Sequence, residues 1–124
     1  MLIKDHLEFE VKSVLTDSKG RYILLNANIQ GSDYILGNIY APNKVQQQCS
    51  FFDEIQSKLD DFISDPELKV IVGGDFNVVA DLDLDCFGGS PTEKESAKRV
   101  KDICLNCDLI DIWRIRNPDC KRFT

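Results

Sequence analysis

The sequence predicts an α/β fold in one small domain. Three observations carry that prediction. Alternating apolar segments separated by tight turns open the chain, an apolar stripe at helical spacing follows Pro42, and a short apolar run, "LKVIVGG", ends in two glycines. In order, this is an antiparallel meander, a helix, a buried strand, a second helix and a strand, which one compact unit over residues 1–124 accommodates.

"LEFEV", from Leu7 to Val11, alternates apolar and acidic residues and reads as a half-buried strand. "TDSKG" makes a turn, and "RYILLNANI" puts Ile23, Leu25, Ala27 and Ile29 on one face of a second strand. Gly31-Ser32-Asp33 turns the chain into a third strand, Tyr34 to Tyr40. Pro42 ends the meander, and Asn43 is placed to cap a helix. Val45, Cys49, Phe52, Ile55, Leu59, Phe62 and Ile63 then recur at helical spacing to about Ser64, where Asp65-Pro66 stops the helix. "LKVIVGG" shows no alternation, which predicts burial on both faces. Ser90, Pro91 and Glu93 form a capping box for a second helix, striped by Ala97, Val100, Ile103, Cys104 and Cys107. "LIDIW" is a further apolar segment, and "CKRFT" starts another strand.

Composition sets outer bounds. With 43% hydrophobic and 29% charged residues, the chain is globular rather than disordered. A net charge of −6 gives no overall electrostatic footprint for nucleic acid, although a metal-dependent nuclease site itself needs acids. No stretch is long and apolar enough for a membrane span, and "MLIKDHLEFE" lacks the apolar core of a secretory signal. No membrane partner and an intracellular, reducing location are therefore expected. Five cysteines include the pair Cys104 and Cys107. A zinc site would need a second pair or a nearby His, and His6 is the sole histidine, so buried thiols without zinc are expected. Asp81, Asp83 and Asp85 imitate a calcium loop. Leucines intervene, however, and Thr92 stands where such a loop needs its closing Glu, which favours a solvated acidic loop.

Two strand ends carry polar groups suited to chemistry: Tyr40 with Asn43, and Asp75 with Asn77 in "VIVGGDFNVV". A carboxylate can take a proton from water or face a metal, and an amide can donate to an anionic oxygen without adding charge. Together they suit in-line attack on a phosphodiester. Gly73 and Gly74 let a ligand or another backbone come close. Taken alone, Asp-x-Asn also closes an ordinary turn, and "NIYAPN" also reads as strand end, turn and cap.

Taken together, "GNIYAPN", a helix, "VIVGGDFNVV", "DLIDIWR" and "RFT" resemble the endonuclease/exonuclease/phosphatase family, and most of all the endonuclease domains of non-LTR (LINE-type) retrotransposons. The resemblance covers most of the chain. It implies a partial deoxyribonuclease I-like α/β sandwich, magnesium as cofactor, DNA as partner and, within a retrotransposon polyprotein, a nuclear location. By motif, Asp75 matches the acid that orients or deprotonates the attacking water. Asn77 matches the amide on the scissile phosphate, and Tyr40 an active-site tyrosine beside it. Asn43 matches the last residue of "YAPN", which shapes the loop, and Thr124 the threonine of an "FTW"-like strand. The family's metal-ligand Glu and its catalytic His match nothing here, and His6 stands in the wrong place for the latter. The resemblance therefore implies a central fragment with little activity alone. It also implies apolar faces left uncovered, a route to self-association. A phosphatase or phosphodiesterase of the same fold, and a non-catalytic binding remnant, remain as alternatives.

Overall fold

The computed structural model describes residues 3–65, 67–79, 91–118 and 120. These form two compact units: Met1–Ala41 with Asp60–Phe76, and Pro42–Leu59 with Asn77–Thr124.

The first unit holds a four-stranded sheet in the order β1 (Phe9–Thr16), β2 (Tyr22–Ile29), β3 (Ser32–Tyr40), β4 (Lys69–Asp75). The first three strands are antiparallel, as the turn-separated pattern predicts. Asp17 builds the first turn: its carboxylate accepts the Lys19 and Arg21 amides at 3.1 and 3.3 Å. Gln30 and Gly31, both at positive φ, make the second, one residue earlier than the sequence suggests. That pair suits the left-handed geometry of a tight hairpin, and Asn28 accepts the Gly31 amide at 3.0 Å.

β1 is longer than "LEFEV" and more exposed than half-buried. It is an edge strand, and a bulge between Val11 and Ser13 keeps Val11 and Val14 on one face of the sheet. β2 is buried on both faces: Leu24 and Ala27 are fully inaccessible although they point oppositely. Its core partners in this unit are Tyr22, Leu25, Ile35, Ile39 and Ala41.

β4 pairs parallel to β3, and the helix α1 (Val45–Phe62) supplies the crossover that such a pairing requires. The expectation that β4 is buried on both faces is wrong. Among the described residues it lies at the sheet edge, and Ile71 is 57% exposed while Val70 and Val72, on the opposite face, are half-buried. On the face where Val14, Leu25, Leu36 and Ile71 stand in register, Leu25 is buried, while Val14 on β1 is 53% exposed and Ile71 on β4 is open, so among the described residues the uncovered apolar surface lies at the outer strands.

In the second unit α1 buries Gln48, Phe51, Phe52, Ile55 and Leu59. Gln48 and Phe51 widen the stripe read from sequence, while Val45 and Cys49 are only half-buried. α2 (Pro91–Asn106) buries Ser96, Ala97 and Ile103. Asp53 of α1 pairs with Arg99 of α2 at 2.9 Å, and Cys49 Sγ lies 3.7 Å from Ser96 Oγ. The capping residue Ser90 and the stop residue Pro66 lie outside the described residues.

Past α2, Asp108 takes a positive φ and Leu109 donates to the Cys104 carbonyl at 2.7 Å, closing the helix. The segment after "LID" is a short helix, α3 (Ile112–Arg116), capped by the Asp111 carboxylate on the Arg114 amide. The strand expected in "CKRFT" lies outside the described residues except for Cys120, which is not in a strand.

Candidate functional site

The parallel pairing of β3 and β4 aligns their carboxyl ends. Tyr40 sits opposite Asp75 in register, the last residue of each strand, and Asn38 sits opposite Gly73 two residues before. Tyr40, Asp75 and Asn38 share one face, and all three are exposed, Tyr40 at 55%. Backbone bonds fix the corner: the Ala41 N–H donates to the Asp75 carbonyl at 2.8 Å, and the Tyr40 N–H to the Arg21 carbonyl at 2.7 Å. A phenol and a carboxylate are thus held side by side at the end of a rigid ladder, facing water.

The two glycines before Asp75 differ. Gly74 has φ +132°, and a Cβ there would meet the Ile39 carbonyl oxygen and come within 2.7 Å of the Ile39 nitrogen; at Gly73 nothing lies within 4 Å. The close approach that Gly74 allows is therefore to another backbone, while Gly73 leaves its face open.

In the second unit, Asn43 and Asn77 are joined: Asn77 Nδ2 donates to Asn43 Oδ1 at 3.1 Å. Asn77 has φ +50°, a left-handed conformation that Asn tolerates better than most residues. The described contacts put the Asn43 Oδ1 on this bond, and α1 begins at Val45, two residues further on. Gln48 was missed from the sequence as a site residue. Its buried Nε2 donates to the Pro42 carbonyl at 3.0 Å and to the Asn77 carbonyl at 2.7 Å. The only sequence signal was an amide on the apolar face of a helix. Asn38 was missed too; its signal is its place two residues before Tyr40 on an alternating strand.

Thr124 and the acidic residues Asp81, Asp83 and Asp85 lie outside the described residues. Among the described residues, no three His, Cys, Asp or Glu side chains gather to hold a metal ion. They do not by themselves make a magnesium site, and Asp75 is the one carboxylate that the motif offers. Cys104 and Cys107 are in no disulfide and are half-buried rather than largely buried, because Cys104 sits in the last turn of α2 and Cys107 just past it. Burial, then the nearby Asp111 charge, pushes the Cys104 thiol above its ordinary pKa. No described helix is long and apolar enough to cross a membrane.

No family model matches the chain. Over 124 residues it is 31% identical to a 149 kDa uncharacterized protein of transposon TX1 from Xenopus laevis, a match that takes in 99% of this chain and 9% of that protein. The chain thus spans under a tenth of that relative's length. Among solved structures it is similar to a β-hairpin deletion mutant of beta toxin from Staphylococcus aureus, with a TM-score of 0.54 at 12% identity, covering 94% of this chain and 49% of that one. The likeness shows the fold, an α/β arrangement of the deoxyribonuclease I-like kind. The relationship by sequence is to a transposon protein.

Proposed function

We propose that the chain is the central part of a magnesium-dependent DNA endonuclease domain from a non-LTR retrotransposon protein that acts in the nucleus. The observation that carries the reading is the Tyr40–Asp75 pair, exposed on one face at the ends of parallel strands. In this reading Asp75 orients the attacking water and accepts its proton, and Asn77 donates to a phosphate oxygen, as their motifs match. Tyr40 flanks the same phosphate, Asn43 holds the loop, and Thr124 belongs to the substrate-contacting set. The magnesium requirement comes from the resemblance, and the remaining ligands and the general acid come from the Glu and His of the family pattern.

Nicking of supercoiled plasmid in magnesium tests this. The chain alone is expected to nick little above background, because groups that stabilise one transition state do not act independently. Joined to segments that carry the Glu and His, it is expected to nick. Asp75→Ala or Asn77→Ala should then cost on the order of a hundredfold or more. Nicking by the joined form that survives Asp75→Ala would refute the reading, and hydrolysis of small phosphoesters without nicking would favour a phosphatase.

A further inference from the structure

We propose that Gln48 is a positioning residue, whose buried amide clasps the carbonyls of Pro42 and Asn77 and so fixes the direction in which Asn77 presents its own amide. The proposal rests on the reading of Asn77 as a phosphate contact.

Gln48 lies in the first turn of α1, on the face that carries Phe52, Ile55 and Leu59. It is 2% exposed, where a Leu or Met would pack at no polar cost. Burying an amide is unfavourable unless its hydrogen bonds are made. Both donors of Nε2 are engaged, at 3.0 Å with Pro42 and 2.7 Å with Asn77. The acceptors belong to the loops that carry "YAPN" and "GDFN", where no ladder or helix exists to take up main-chain carbonyls. One side chain therefore ties the two loops together.

The consequence falls on Asn77. Its φ of +50° is a left-handed conformation that Asn adopts more readily than most residues, and the Gln48 bond holds the peptide group that follows it. Pinning its carbonyl fixes the following peptide plane, and with it the direction of the Asn77 Cα–Cβ bond. Asn43 then sets the amide itself through the 3.1 Å bond. Gln48 thus holds the backbone of Asn77, and Asn43 holds its side chain. A catalytic amide displaced by about 1 Å can lose a hundredfold in effect, so a residue that never touches substrate can matter as much as one that does.

The test follows the Asn77 side-chain amide by 15N NMR in the whole chain, in Gln48→Met, which keeps shape and loses both donors, and in Gln48→Glu, which turns a carboxylate toward two carbonyls. Folding is checked by circular dichroism. Both variants are expected to fold, with the two Asn77 Nδ2 protons shifted and broadened toward the signals of a solvent-exposed amide, and Gln48→Glu the more perturbed. An unchanged Asn77 signal in a folded variant would overturn the proposal. If neither variant folds, a through-hydrogen-bond coupling between Gln48 Nε2 and the Asn77 carbonyl carbon in the unaltered chain decides it; its absence overturns the proposal. Titration with a short DNA duplex separates the two ideas. A variant-sensitive Asn77 amide that DNA does not perturb keeps the positioning role and sinks the phosphate reading. An amide that DNA perturbs equally in the unaltered chain and in Gln48→Met does the reverse.

Discussion

Replacing Gly74 by Ala should be among the most damaging single-methyl additions in the chain, and the same change at Gly73 nearly harmless. Gly74 faces Ile39 in the parallel ladder at φ +132°, a region that L side chains rarely adopt. Holding a non-glycine residue there costs about 1–3 kcal/mol. The added Cβ would also run into the main chain of Ile39, with the nitrogen at 2.7 Å and the carbonyl carbon at 2.8 Å. Backbone cannot swing aside as a side chain can, so β3 and β4 must part locally. Losing two ladder bonds adds about 1–3 kcal/mol. The total is about 2–6 kcal/mol. A chain of 124 residues unfolds with an entropy of about 0.26 kcal/mol per kelvin, so the melting temperature should fall by about 8–23 °C. Gly73→Ala meets nothing within 4 Å and has an ordinary φ, so it should stay within about 1 kcal/mol of the parent. Thermal and urea unfolding followed by circular dichroism measure both. Gly74→Ala melting within a few degrees of the parent would refute the reasoning, as would equal losses at both positions. A further consequence is local: the Asp75 carbonyl that receives the Ala41 N–H is the next residue, so separation of the strands should also displace Asp75.

Acid should weaken the meander. Asp17 is held below its ordinary pKa chiefly by the Lys19 amide, and Asp33 chiefly by the Lys12 ammonium with help from Asn28. Both carboxyls are lower in the folded chain than in the unfolded one. Their contribution is therefore present above the unfolded value of 3.8 and lost as pH falls through the folded one. Asp17→Ala should lower stability at neutral pH and converge with the parent as pH falls through the lowered folded pKa, as urea titrations at several pH values would reveal; a constant difference across the acid range would contradict the account. For the thiols, Cys104 should react with iodoacetamide more slowly than exposed Cys120, and Asp111→Asn should quicken it by removing the nearby charge. Mass-spectrometric labelling rates check this, and equal rates at Cys104 and Cys120 would count against it.

Much of this protein is written in its sequence because its elements are local. The alternation in "YILLNANI" and "YILGNIY", the turns around Asp17 and Gly31, and the stripe Phe52, Ile55, Leu59 each follow from period and turn chemistry within a few residues. The placement of Tyr40 and Asp75 at strand ends was legible for the same reason, since "GNIYAPN" and "VIVGGDFN" each mark where an apolar run stops. What the sequence by itself could not determine depends on what each face meets. "LKVIVGG" looks like a strand covered on both sides, yet Ile71 is open, because the burial of a face depends on what packs over it and periodicity does not say that. Cys107 continues the spacing of α2, but the helix closes one residue earlier at the Asp108 turn. The two glycines of "GGDFN" are identical in sequence, and only the ladder distinguishes the one pressed against Ile39 from the one facing open space. Gln48 is the sharpest case. Its place on the apolar face is a weak signal, since it is the last of three successive glutamines, and its meaning comes from two carbonyls contributed by segments far apart in the chain, which only the tertiary structure brings within hydrogen-bond reach.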